Sequence, residues 1–302
     1  MSSPAAAALA PHRYLREALA HDDVVRLLAS ARRHQTRHAG GQVTWHEWGK
    51  GPTVVLLHGG FGSWLHWVRN IDSLASRFRV LAADLPGLGE SDPVADENPT
   101  AAAVAAPLVD GLEGLLAPGE PLRLACFSLG AVVGSQVAAA MQSRLSRVVM
   151  LGPSGLGDLW RNITSDLARR RPGMTREERR ATIRQNLEQS MIAQPAAVDD
   201  AAIDIHTDLV RQKRRLVGMP LSLSNALLDV LPALAPRLTV IWGEFDAYPT
   251  PDVHGVAAIL RQRLPAIDVR IVRGAGHWVG YEAAAQINPQ LDQLFSPMEG
   301  VA

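Results

Sequence analysis

Short apolar runs alternate with amphipathic and small-residue stretches along most of the chain, a pattern expected of a sheet covered by helices on both faces. Residues 53–57, 80–84, 122–127, 147–151, 238–242 and 268–272 read as strands. Residues 42–48 alternate polar and apolar, a first strand that Gly49-Lys50-Gly51-Pro52 turns into a short hairpin. Helical spacing predicts helices over 64–78, 100–116, 131–141, 253–264 and 282–294. Ahead of these lies an amphipathic stretch in which Leu15, Leu19, Val24, Leu27, Leu28 and Ala31 recur at helical intervals. Residues 1–39 are therefore expected to be a helical extension that packs on the sheet or on a second subunit.

Between residues 156 and 231 the strand pattern disappears and charge rises. Thr175 and Glu178 have the spacing of a capping box at a helix start. Lying between two strands, the segment reads as a helical cap over the carboxyl edge of the sheet, where open α/β sheets bind their ligands. The core is then formed by 40–155 and 232–302. Arg169-Arg170-Arg171, Arg176, Arg179-Arg180 and Lys213-Arg214-Arg215, interspersed with Glu177, Glu178 and Glu188, read as solvated helix faces. Trp160, Met174, Met191, Met219, Leu221 and Leu223 are the apolar residues with which a cap would line a pocket or fill its own interior.

With 302 residues the chain can form one α/β domain with an insertion. Thirty basic and thirty acidic side chains cancel, so nothing global points to nucleic acid or an anionic membrane, and a small-molecule partner is expected. A single cysteine excludes an internal disulfide. The first ten residues lack a basic start and a long apolar stretch, and no apolar run approaches the roughly eighteen residues of a membrane span. The expectation is a soluble, cytoplasmic protein, with homo-oligomerisation left open.

The chemistry centres on Ser128. The apolar run 122–127 stops there and an Ala- and Val-rich helix begins, so the serine sits on a strand-to-helix corner with the Leu129 N–H at the helix N-terminus. Cys126-Phe127-Ser128-Leu129-Gly130 resembles the nucleophile elbow of the α/β-hydrolase superfamily, with Cys126 where a first glycine is usual. His58-Gly59-Gly60-Phe61-Gly62 is similar to the superfamily's oxyanion loop, and Asp84-Leu85-Pro86-Gly87-Leu88-Gly89-Glu90-Ser91 to its Asp-x-Pro-Gly-x-Gly-x-Ser turn. Trp242-Gly243-Glu244-Phe245-Asp246 with Pro249, and Gly274-Ala275-Gly276-His277, resemble its acid and base segments.

The resemblance implies an α/β-hydrolase fold, a mostly parallel central sheet with helices on both faces and a helical cap. It also implies a triad of Ser128, Asp246 and His277, in the order the superfamily uses. Gly60 or Phe61, with Leu129, would supply the oxyanion hole. Asp84 and Asp92 would fix a turn, and His58 would brace its loop. Phe127, Trp160 and Trp278 are candidate pocket residues. Among the other histidines, His12, His21, His34 and His38 lie in the extension, His206 in the cap, and His46, His66 and His254 beside surface helices or turns. None forms a metal-site spacing with a nearby carboxylate, and no strand–GxGxxG–helix loop is present, so no metal or cofactor is expected.

A serine at the elbow argues against the branches that use an aspartate nucleophile. The expected reaction is hydrolysis of a small carboxylic ester. The alternative is carbon–carbon bond hydrolysis of the meta-cleavage-product type. Arg69-Asn70-Ile71, the 150–157 segment, and His277-Trp278 with Glu282 resemble that family, while Phe127 and Phe61-Gly62 depart from its Asn and Gly-Pro-Gly. A reading from another class is a non-catalytic small-molecule-binding protein of the same fold.

Overall fold

In the computed structural model, residues 14–212 and 218–296 are described. The basic run Lys213-Arg214-Arg215 lies outside them. Eight strands form one sheet: β1 Arg32–His38, β2 Gly41–Trp48, β3 Thr53–Leu57, β4 Arg79–Ala83, β5 Leu122–Phe127, β6 Leu145–Leu151, β7 Leu238–Gly243 and β8 Asp268–Val272. Their order is β1-β2-β4-β3-β5-β6-β7-β8. The first two pairings, β1 with β2 and β2 with β4, are antiparallel, and every other neighbour is parallel. Strands β3 and β5 lie at the centre, and both are buried along their whole length because helices cover both faces.

The helices are α1 Asp22–Ser30, α2 Ile71–Ala75, α3 Ala101–Leu115, α4 Leu129–Ala140, α5 Arg176–Ser190, α6 Asp200–Arg211, α7 Gly218–Ser222, α8 Leu231–Leu234, α9 Val253–Arg263, α10 Val279–Glu282 and α11 Ala284–Phe295. Leu108 and Leu112 of α3, Val133 and Val137 of α4 and Val256 and Leu260 of α9 share one core with Val55, Leu124 and Val148 of the sheet. On the opposite face Leu27 of α1, Ile71 and Leu74 of α2 and Ile287 and Leu291 of α11 close over Val54, Leu56 and Ala125. No helix among the described residues is long and apolar enough to cross a membrane.

Three expectations are corrected. The extension is helical only as far as α1, because Arg32–His38 is an edge strand of the sheet. Its sequence, Arg-Arg-His-Gln-Thr-Arg-His, contains no apolar residue, so a hydrophobic pattern cannot reveal it; it is held by full pairing to β2 and by ion pairs such as Arg32 to Glu47 at 3.2 Å. The hairpin therefore precedes β2 instead of following it, and the 49–52 turn carries the chain across β4 to the sheet centre. The expected helix over 64–78 is broken into a 3-10 turn, Trp64–Trp67, and α2, with Asn70 at the break. The buried Asn70 amide donates to the Gly280 carbonyl (2.9 Å) and to Asn288 Oδ1 (2.7 Å), bonds that tie the break to α10 and α11.

The insertion between β6 and β7 carries α5, α6, α7 and α8. Thr175 and Glu178 form the capping box that starts α5. Two stitches hold the insertion to the loops after β7 and β8. In the first, the Arg161 N–H donates to the Tyr248 carbonyl and the Thr250 N–H to the Leu159 carbonyl, both at 2.9 Å, around a bridge between Trp160 and Pro249. In the second, the Trp278 N–H donates to the Met191 carbonyl at 2.7 Å, while the Glu282 carboxylate accepts from Ala193 (3.1 Å), Gln194 (2.7 Å) and Gly276 (2.7 Å). The arginines of the insertion are largely paired outward, Arg176 with Glu17 and Arg180 with Asp200 and Asp204.

Candidate active site

Ser128 ends β5 and starts α4 with φ 51° and ψ −117°. It and Phe61, at φ 55°, are the non-glycine residues with left-handed φ among those described, and strain of this kind is retained only where the surroundings enforce it. At Ser128 the enforcement is visible. A Cβ on Gly130 would lie 2.4 Å from the Leu57 carbonyl oxygen, so the helix can approach β3 only without a side chain there. Cys126, at the usual glycine position, is accommodated from the other side: a Cβ on Gly134 would lie 2.4 Å from its Sγ. Burial pushes the Cys126 thiol well above its ordinary pKa, so the sulfur stays neutral filling.

The three residues expected at separate strand ends meet. His277 Nδ1 donates to Asp246 Oδ2 at 2.8 Å, and the Ser128 hydroxyl lies 3.0 Å from His277 Nε2. With Nδ1 holding the proton toward the carboxylate, Nε2 is the acceptor for the serine O–H. Asp246 Oδ1 takes the Tyr248 N–H at 3.1 Å, and both Asp246 and His277 are buried. Gly152, at φ 49° after β6, leaves room for the pair, since a Cβ there would come within 2.9 Å of Nδ1 and 3.0 Å of Oδ2. The imidazole is flanked by Phe127, centroid 5.0 Å away, and Tyr248, at 4.4 Å.

Gly60, Phe61 and Leu129 border the same cavity as Ser128. Leu129 is the first residue of α4, so its N–H is one of the donors a helix start leaves without an intrahelical acceptor. The Gly59 peptide beside this loop is gripped at both ends. His58 Nδ1 donates to its carbonyl at 2.8 Å while Nε2 accepts from Leu85, and the Gly59 N–H donates to His66 Nδ1 at 3.2 Å. Asp84 accepts from the Trp64 and Glu90 N–H groups, both at 2.9 Å, fixing the adjoining turn, and Asp92 accepts from Gln42. Burial, with the Glu90 charge adding to it, raises the Asp84 carboxyl to about 7.

The cavity over the serine measures about 330 Å³, at the small end of the range for ligand sites. Phe127 and Trp160 line it as expected, with Met191 and Met219. Met174, Leu221 and Leu223 are not among its lining residues, and Leu223 is exposed. Trp278 is a correction. It is buried behind the cavity, stacked on Tyr281 and donating from Nε1 to the His66 carbonyl at 2.9 Å, so it supports the wall and does not form it.

Several lining residues escaped the sequence reading. Tyr248, two positions after Asp246, carries a phenol that burial and the Asp246 charge hold well above its ordinary pKa. His66, assigned to the neighbourhood of a surface helix, is buried against Phe127 and Trp278, and His46, assigned likewise, is buried against Trp48 and Trp64. Of these two only His66 reaches the cavity; His206 and Arg170 of the insertion also do. The Trp-rich 64–67 stretch was the available signal for His66, since a surface turn has no use for three large apolar residues. No group of His, Cys, Asp or Glu among the described residues has the geometry of a metal site.

A sequence model described as the alpha/beta hydrolase family matches residues 54–290. A 2-hydroxy-6-oxo-6-phenylhexa-2,4-dienoate hydrolase of Burkholderia cepacia is 27% identical over 251 residues, 80% of this chain and 86% of that protein. A pimeloyl-[acyl-carrier protein] methyl ester esterase of Vibrio campbellii is 27% identical over 240 residues, covering 77% of this chain and 90% of its own. Among solved structures, the naproxen esterase of Bacillus subtilis superposes with a TM-score of 0.71 at 18% identity, over 98% of this chain and 100% of that one. A meta-cleavage product hydrolase from Pseudomonas fluorescens IP01 reaches 0.67 at 17% identity, over 87% and 97%.

Proposed function

The chain belongs to the alpha/beta hydrolase family, and from that premise we propose that it is a serine hydrolase cleaving small carboxylic esters through an acyl-enzyme on Ser128. The observation that carries the proposal is the unbroken relay from Asp246 through His277 to Ser128, at 2.8 and 3.0 Å. A serine hydroxyl is barely ionised near neutral pH, so attack requires a base within hydrogen-bond reach, and His277 Nε2 is that base. Asp246 fixes the tautomer and stabilises the imidazolium formed as the proton moves. Backbone N–H groups of Leu129 and of Gly60 or Phe61 receive the carbonyl oxygen as it gains charge, one such donor contributing about 2.7–4 kcal/mol to lowering a barrier. The β6–β7 insertion acts as the cap, and the small, largely apolar cavity beneath it limits the size of the ester. Water then replaces the alcohol beside His277 and releases the acid.

A second reading is hydrolysis of a carbon–carbon bond, favoured by the Burkholderia relative's name. It uses the same serine and histidine, but Phe127 beside the serine offers no hydrogen bond to a polar chain. The test is turnover of p-nitrophenyl acetate against a 2-hydroxy-6-oxo-dienoate by wild-type and Ser128→Ala protein. The proposal expects ester turnover to exceed dienoate turnover and the substitution to lower it by about 10⁴- to 10⁶-fold. Faster dienoate turnover would favour the second reading, and an active Ser128→Ala protein would contradict both.

A further inference from the structure

Two parts of the cavity lining meet the relay differently, and the part beside the imidazole suits the leaving group. Beside the serine, Leu129 packs against the oxyanion loop and α7 of the insertion: a Cβ on Gly60 would lie 3.7 Å from Leu129 Cδ2, and one on Gly218 3.2 Å from it. Beside the imidazole, Tyr248 lies against the His277 ring, with centroids 4.4 Å apart, and Trp160 is stacked on Tyr248 at 4.8 Å with an interplanar angle of 11°. Both aromatic rings line the cavity and both are otherwise buried. The Trp160–Pro249 bridge and the Arg161 N–H to Tyr248 carbonyl bond hold the pair in place, so it is a preformed wall.

The chemistry of ester cleavage assigns the two parts. As the Ser128 Oγ–carbon bond forms, the hydroxyl proton passes to His277 Nε2 and the carbonyl electron pair moves onto oxygen beside the Leu129 N–H. As the carbon–oxygen bond to the leaving group breaks, that same proton passes from Nε2 to the departing oxygen, giving a neutral alcohol and the acyl-enzyme. The departing oxygen must therefore lie within hydrogen-bond reach of Nε2, and its substituent extends past the imidazole. Resting on the ester-hydrolase reading above, we infer that the Trp160–Tyr248 wall is the leaving-group subsite and that the enzyme's substrates are esters of arylmethyl alcohols. A planar ring lies along the aromatic wall with an interaction that a saturated ring of the same size lacks.

Benzyl acetate and cyclohexylmethyl acetate test this, because they match in size and carry similarly poor leaving groups. The inference expects kcat/KM for the benzyl ester to be higher by about three- to ten-fold, and expects the transposed ester, methyl phenylacetate, to be hydrolysed less well than benzyl acetate. Trp160→Leu should bring the benzyl to cyclohexylmethyl ratio close to one, while Trp160→Phe, which keeps an aromatic face, should preserve most of it. A wild-type ratio of one or below, or a ratio unchanged in folded Trp160→Leu protein, would overturn the assignment while leaving ester hydrolysis intact. Hydrolysis of none of the three esters, nor of p-nitrophenyl acetate, would instead overturn the reading on which it rests.

Discussion

Cys126 is the residue at which the chain departs from the pattern its elbow resembles, and the structure supplies the compensation eight positions later. Its Sγ occupies the space that a side chain on Gly134 would need. Closely packed interiors do not absorb an added methyl at such a contact, so Gly134→Ala should destabilise the protein by about 1–3 kcal/mol. Adding Cys126→Gly should recover most of that loss, because the thiol and the methyl compete for one volume. Urea denaturation of the two single variants and the double variant measures this directly, and additive losses would show that the residues do not share the space. The pairing was legible in principle, since a glycine in a helix otherwise rich in Ala and Val asks for a packing reason. Ser128, Asp246 and His277 could be singled out because each follows a strand in a segment that carries its own glycines. Tyr248 was not, because nothing in its spacing says that its ring turns back onto His277.

At the scale of elements, the parallel strands could be read from their apolar runs, and β1 could not, since an edge strand held by backbone pairing and surface ion pairs has no apolar face to display. The stitches between the insertion and the core were equally invisible, being made mainly of backbone groups. Glu282 shows what they do: a single carboxylate accepts N–H groups from Ala193 and Gln194 of the insertion and from Gly276, next to His277. Glu282→Ala leaves all three donors without that acceptor; Gly276 is the buried one of the three, and an unmet buried donor costs about 1–3 kcal/mol. Amide hydrogen exchange should accelerate together at 191–194 and at 274–278, with a fall in ester turnover per folded molecule. Faster exchange at only one of the two segments would mean that Glu282 does not join them.

Over the whole molecule, the sheet gathers at its carboxyl edge residues that are far apart in sequence, and the insertion closes a small cavity above them. Strand order could not be read from the sequence, but the consequence that matters for chemistry could, because ligands bind open α/β sheets at that edge whatever the order. The two stitches fall on the loops that carry Asp246 and His277, so the cavity wall and the relay are one assembly. On the proposed function, this assembly makes the Ser128 oxygen a nucleophile. Intact-mass and peptide mass spectrometry after treatment with a fluorophosphonate measures it most directly. One covalent adduct per chain is expected, on Ser128, absent from Ser128→Ala protein and strongly slowed in His277→Ala protein. A folded wild-type protein that stays unmodified, or an adduct mapped to any other residue, would contradict it.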